Sequence, residues 1–306
     1  MVILSVSNVK KSFGVEELFS NVTFSVNDTD RMAIVGSNGT GKSTLLKIII
    51  GQEEITPDRA DGSKGGVFFA KGARYVYLSQ DVIESLDHTL LEEALLVFKD
   101  LIKKEADLAD LANLYAENPL DEKIENQYAK MQSEFEHAGG YDYQYKVRMM
   151  LSKFGFSDEV MNRPIRSFSG GERTKMAFVK LLLLEPELLI LDEPTVGLDD
   201  VSKNDLMNTL VEIQKATHKS IVIITHNMNV VAAYGKRVIV LDKGDIVFDG
   251  TPLQLFNDSK VLNRHHLDLP DISKLAVKLK ENGKINFNKI PLSVDELFSL
   301  IAKESV

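Results

Sequence analysis

Gly36-Ser37-Asn38-Gly39-Thr40-Gly41-Lys42-Ser43 decides how this chain is read. Two glycines bracket four free positions, and Lys-Ser follows at once. An apolar strand pattern, Met32–Val35, runs into the segment, and a helical pattern, Thr44–Ile50, runs out of it. Strand, glycine loop and helix are the context a phosphate-binding loop requires. The glycines let successive backbone N–H groups curl around an anion, and the helix start adds its positive dipole end. Lys42 is then placed to reach the β- and γ-phosphates of a nucleoside triphosphate, and the Ser43 hydroxyl to hold Mg²⁺. Gly36, Asn38, Gly39, Gly41 and Thr44 complete the expected nucleotide contacts.

The surrounding composition permits this and excludes several other classes. At 306 residues the chain can bury a large core with appendages. Its 44% hydrophobic and 26% charged content is that of an ordinary globular protein. No apolar run reaches the length of a bilayer span, and no secretory signal precedes the first strand pattern. With no cysteine, disulfides and thiolate metal sites are excluded, as suits a reducing cytosol. A net charge of −9 argues against broad nucleic-acid binding.

Outward from the loop, Val2–Val9 and Leu18–Val26 alternate as strands, with Gly14 between them. Gly51 is placed to end the loop's helix, and Arg74–Leu78 reads as a further strand. From Leu90 to Phe135 the pattern turns helical, broken at Pro119, and acidic residues outnumber basic ones about two to one. This arm reads either as a solvated helical hairpin or as a docking element. Val238–Leu241 and Asp245–Phe248 flank Lys243-Gly244 as a hairpin. Thr251-Pro252 opens a helical extension whose last helix is expected to carry a capping box, Ser293 with Glu296.

Leu188-Leu189-Ile190-Leu191-Asp192-Glu193 is an apolar strand ending in two acids. Beside the loop strand, Asp192 would enter the Mg²⁺ shell, and Glu193 would orient and deprotonate a water in line with the γ-phosphate. Ser169-Gly170-Gly171 precedes a long helix, where the glycines allow close backbone approach to an anion.

Ser167-Phe168-Ser169-Gly170-Gly171-Glu172-Arg173 closely resembles the signature sequence of ATP-binding-cassette (ABC) ATPases. The resemblance implies an α/β fold: a P-loop parallel-sheet core, an antiparallel β subdomain and a helical signature subdomain, with a small C-terminal domain. It implies ATP and Mg²⁺ as ligands, and a sandwich in which one subunit's signature closes on the other's nucleotide. Gln80 matches the glutamine that senses Mg²⁺ and the γ-phosphate, and His226 the switch histidine. Gly197-Leu198-Asp199 matches the D-loop, and Phe13 the aromatic that stacks on adenine. The expected sections are 1–82, β subdomain and first part of the core, and 83–166, helical with the arm. Signature helix and remaining core follow at 167–250, and a pairing extension at 251–306.

Within the family the chain looks like a mosaic. Residues 1 to about 195 resemble the first cassette of ABC-F proteins, which act on ribosomes, through the loop, the arm, Gly139–Tyr143 and Gly171–Phe178. From Val196-Gly197-Leu198-Asp199 onward the chain resembles the ATPase subunits of energy-coupling-factor importers. Thr225–Met228, Leu241–Gly244, Asp249–Pro252 and Leu267–Lys280 carry that likeness. A chimera and a divergent natural cassette both fit this pattern. The implied partners are a second copy or a paired ABC ATPase with a membrane transport component, and alternatively the ribosome. The implied place is the cytoplasm, peripheral at the inner face of the membrane.

Overall fold

Runs of β-branched and apolar residues become strands here, and three-to-four spacing becomes helix. The computed structural model describes residues 1–57, 64–78 and 82–304. Its strands are β1 (Val2–Phe13), β2 (Glu16–Asn27), β3 (Arg31–Val35), β4 (Gly66–Phe69), β5 (Tyr75–Leu78), β6 (Leu188–Asp192), β7 (Ser220–Ile224), β8 (Arg237–Asp242) and β9 (Asp245–Gly250). The helices begin with α1 (Lys42–Ile49), α2 (Leu90–Leu95), α3 (Lys99–Glu117), α4 (Glu122–His137), α5 (Tyr143–Lys153), α6 (Asp158–Met161) and α7 (Gly170–Leu183). They continue with α8 (Asp200–Thr217), α9 (Met228–Tyr234), α10 (Pro252–Asn257), α11 (Ser259–Arg264), α12 (Asp271–Glu281) and α13 (Val294–Glu304).

The chain divides into two units. One comprises Met1–Ser79, Pro186–Val196 and Lys203–Val306; the other comprises Gln80–Glu185 and Gly197–Ser202. In this division α7 groups with the arm, and 251–306 groups with the loop core.

In the first unit a six-stranded sheet runs β5-β6-β7-β3-β8-β9, parallel except for β9. Ile34 lies opposite Ile224, and Ile224 opposite Asp192. The glycine loop, the acid pair and His226 therefore leave the sheet at the same carboxyl edge, where such sheets bind ligands. Met32–Val35, Leu188–Leu191 and Ser220–Ile224 are buried, as parallel strands covered on both faces must be. β8 and β9 turn through Lys243 and Gly244, both at positive φ, the geometry a tight hairpin needs. A separate antiparallel sheet has the order β2-β1-β4. Gly51, at φ 76°, ends α1 as expected.

The extension is not a detachable appendage. Leu255, Phe256, Leu262 and Ile290 share one buried cluster with Ala33 and Val35 of β3 and Val238 and Val240 of β8. These side chains complete the core around the loop strand itself. Only α12 and α13 add a small cluster of their own, around Ala276, Ile285 and Leu297. The expected capping box is half formed. Glu296 N–H donates to Ser293 Oγ at 3.2 Å, but the Glu296 carboxylate accepts from Leu292 N–H instead of Ser293.

In the second unit, α3 and α4 form the hairpin arm, turning at Pro119. Tyr115 and Tyr128 stack across it, yet few side chains on either helix are buried. Near α2, the fully buried Glu93 accepts from Lys180 Nζ at 2.6 Å and Glu84 N–H at 2.7 Å. His88 Nδ1 lies 2.8 Å from its other oxygen. A buried carboxylate is tolerable only with partners of this kind. Among the described residues no helix is long and apolar enough to cross a membrane.

Candidate nucleotide-binding site

Two of the loop's glycines are required by what surrounds them. A Cβ on Gly36 would lie 2.1 Å from the Leu241 carbonyl oxygen, so no side chain fits there. Gly41 holds φ 93° as the N-cap of α1, and a Cβ there would strike the Phe19 ring. Lys42 Nζ donates to the Gly36 and Ser37 carbonyls, each at 2.9 Å, which fixes the ammonium within the loop. Burial pushes the Lys42 pKa down, and the carboxylates of Glu193 and Asp192 pull against that shift.

Asp192 ends β6 as a partly buried carboxyl, and burial pushes its pKa above the usual range. Hydrogen bonding to the Ser43 side chain opposes that shift, while the Glu193 charge adds to it. Its Oδ1 is buried and has no hydrogen-bond partner. An orphaned carboxylate oxygen beside a serine hydroxyl is an oxygen donor set that suits a hard cation such as Mg²⁺. Among the described residues no cluster of three or more His, Cys, Asp or Glu could hold a metal alone.

Glu193 adopts φ 47°, an uncommon conformation for a residue with a side chain. Its N–H donates to the Ile224 carbonyl at 2.9 Å, which secures that turn. Oε1 accepts from the His226 backbone N–H at 3.1 Å and meets His226 Nδ1 at 2.6 Å, while Oε2 accepts from Thr225 Oγ1 at 3.3 Å. A carboxylate only accepts, so Nδ1 must carry a hydrogen, and Nε2 is left for another partner. The Thr225 role was not foreseen. Its signal in the sequence was a hydroxyl residue closing an otherwise apolar run.

Phe13, Asn38, Gly39, Gly41, Lys42, Ser43, Thr44, Asp192 and Glu193 line one cleft of about 390 Å³, with Leu18 and Ile224. His226 joins them through Glu193. A groove of about 520 Å³ lies along the arm, lined by residues such as Asp110, Leu114 and Met131, and contains none of these groups. Gln80 lies outside the described residues. Ser169, Gly170, Gly171 and Asp199 belong to the second unit. There Ser169 caps α7: its N–H and Oγ both donate to Glu172 at 2.8 Å, and its Oγ accepts from Glu172 N–H at 3.3 Å. The Ser169 backbone N–H holds the Glu172 pKa below the usual range. Asp199 is engaged by the N–H and hydroxyl of Ser202, at 2.9 and 2.8 Å.

A parallel strand feeding a glycine loop and helix, with an acid closing a neighbouring strand, defines a P-loop nucleotide-binding protein. The pattern of the ABC transporter family matches residues 19–196, more than half of the chain, and the chain belongs to that family. It is thus an ABC ATPase, of a family that binds and hydrolyses ATP. Among its relatives, the energy-coupling factor transporter ATP-binding protein EcfA2 of Ligilactobacillus salivarius is 30% identical over 293 residues, covering 92% of this chain and 89% of that protein. The EcfA2 of Staphylococcus saprophyticus is 36% identical over 151 residues; that match takes in 49% of this chain and about half, 53%, of the relative's length. The solved structure of cbiO1 from Clostridium perfringens, part of the ABC transporter complex cbiONQ, has the same fold. Its TM-score is 0.60 at 22% identity, over 92% of this chain and 97% of that one. The longer EcfA2 match runs through the junction near Thr195. The ABC-F likeness and a chimeric origin gain no support from these relatives.

Proposed function

We propose that this chain is the Mg²⁺-dependent motor ATPase of an energy-coupling-factor type importer. In this reading it works in the cytoplasm at the inner face of the membrane, beneath a membrane component. The observation that carries the chemistry is the buried, unpartnered Oδ1 of Asp192 beside Ser43, one residue before a carboxylate held by His226. Ser43 and Asp192 would hold Mg²⁺, which supplies charge neutralisation to the β- and γ-phosphates. Lys42 neutralises the same phosphates from within the loop. Glu193 accepts the proton of a water in line with the γ-phosphate, and His226 orients Glu193 while presenting Nε2 to the phosphate. Phe13 offers a face to the base, and Gln80 senses the γ-phosphate. Such catalysis is positioning and charge stabilisation more than covalent chemistry. Phosphate release is expected to stop in EDTA and return with added Mg²⁺. Turnover that persists without divalent cations would refute the metal assignment.

The family's nucleotide sandwich carries the proposal of pairing. The chain supplies one loop and one signature, and Ser169, Gly170, Gly171 and Asp199 would act on nucleotide held by a second ATPase, a copy or a related subunit. A C₂ pair closes two such sites. Glu193→Gln with ATP is expected to run as a dimer in light scattering, and ADP is expected to release it. A strictly monomeric mutant at saturating ATP would remove the self-pairing and leave a different ATPase as the partner. Pull-down from solubilised membranes tests the importer role: recovery of no membrane protein would count against it.

A further inference from the structure

Lys11 is nearly buried, at 6% exposure, and no step of the chemistry above uses it. A buried ammonium is costly unless it is paired, so its surroundings matter. Its Nζ donates to Glu53 Oε1 at 2.5 Å and to the Glu54 carbonyl at 3.0 Å. Both acceptors lie just after α1, the helix that starts at Lys42. The same segment grips β1 on either side: Ser12 N–H donates to Thr56 Oγ1 at 3.0 Å, and Thr56 N–H to the Lys10 carbonyl at 2.9 Å. The Lys11 ammonium sits over the Phe13 ring, 4.9 Å from its centroid. That ring is 56% exposed and lines the nucleotide cleft.

We infer that Lys11 is a positioning residue for the nucleotide base: its anchored ammonium occupies one face of the Phe13 ring and presents the other face to a purine. An exposed ring with no such partner samples several rotamers, and fixing it on binding would weaken affinity. A cation on one face restrains the ring before the ligand arrives. Glu53 and Glu54 thereby connect the far end of the phosphate-loop helix to the base platform. The inference rests on the reading of Phe13 as the surface that meets the base.

The test compares ATP with inorganic tripolyphosphate, which carries the phosphates without a base. Dissociation constants for both are measured by calorimetry on the full chain and on Lys11→Met, Lys11→Arg and Phe13→Ala. Lys11→Met keeps an apolar stem and is expected to weaken ATP roughly 3- to 10-fold, the scale of a lost cation–π contact. Its tripolyphosphate affinity should not move, and Lys11→Arg should keep ATP affinity. A purely structural lysine would weaken both ligands together or neither, and either outcome overturns the inference. If Phe13→Ala lowers the preference for ATP while Lys11→Met does not, the inference alone is wrong. If Phe13→Ala leaves that preference intact, the platform reading fails and the inference falls with it. Should Lys11→Met not fold, Glu53→Gln loosens the same anchor. It must also weaken ATP selectively for the inference to stand.

Discussion

Glu193→Gln is expected to retain ATP binding while its turnover falls by about 10²-fold or more, the scale of a lost general base. The reason is local. A glutamine Oε1 still accepts from the His226 backbone N–H and from Nδ1–H, so the turn and the imidazole stay where Glu193 holds them. Only the ability to take a proton from water is removed. Lys42→Ala should instead lose ATP binding itself, because the ammonium fixed by the Gly36 and Ser37 carbonyls is the cation within the loop. Calorimetry for binding and phosphate release for turnover separate the two effects. A Glu193→Gln protein that hydrolyses ATP at the wild-type rate would refute the role given to Glu193.

Ending the chain after Gly250 is expected to abolish the folded core. The cut removes Leu255, Phe256, Leu262 and Ile290 and uncovers Ala33, Val35, Val238 and Val240. At about 1.5–3 kcal/mol for each large buried side chain, the loss is roughly 6–12 kcal/mol. That is comparable to the whole stability of a typical domain, about 5–15 kcal/mol. Ending after Leu292 removes only α13 and should leave a cooperative, nucleotide-binding protein. Thermal melting and ATP binding on both truncations decide the matter. A chain ended at Gly250 that melts cooperatively and binds ATP would refute this.

The sequence made the loop, the acid pair and the hairpin at Lys243-Gly244 legible because each depends on backbone conformation within a few residues. The arm was legible because apolar spacing and Pro119 are local as well. Burial of the extension was not. Leu255 and Phe256 sit on a six-residue helix whose pattern fits a private core as readily as the flank of β3, and only the three-dimensional arrangement chooses. The grouping of α7 with the arm is likewise set by contacts between segments far apart in the chain. Glu296 shows the same limit on a smaller scale: its carboxylate accepts from the Leu292 N–H, one residue before the expected cap. The part Lys11 plays depends on Glu53, 42 positions later, and no local pattern reveals a partner at that distance.

Glu193 has one more consequence. Its φ of 47° is a conformation that glycine or asparagine adopts more readily than glutamate. A glycine there would relieve roughly 1 kcal/mol of backbone strain, but it would forfeit the hydrogen bonds that the carboxylate takes from the His226 N–H, the His226 ring and the Thr225 hydroxyl, which together outweigh that gain. The strained turn and the polar cluster therefore stand or fall as one unit. Selection for heat resistance alone would have no reason to discard this glutamate, so toughening the protein need not work against its chemistry.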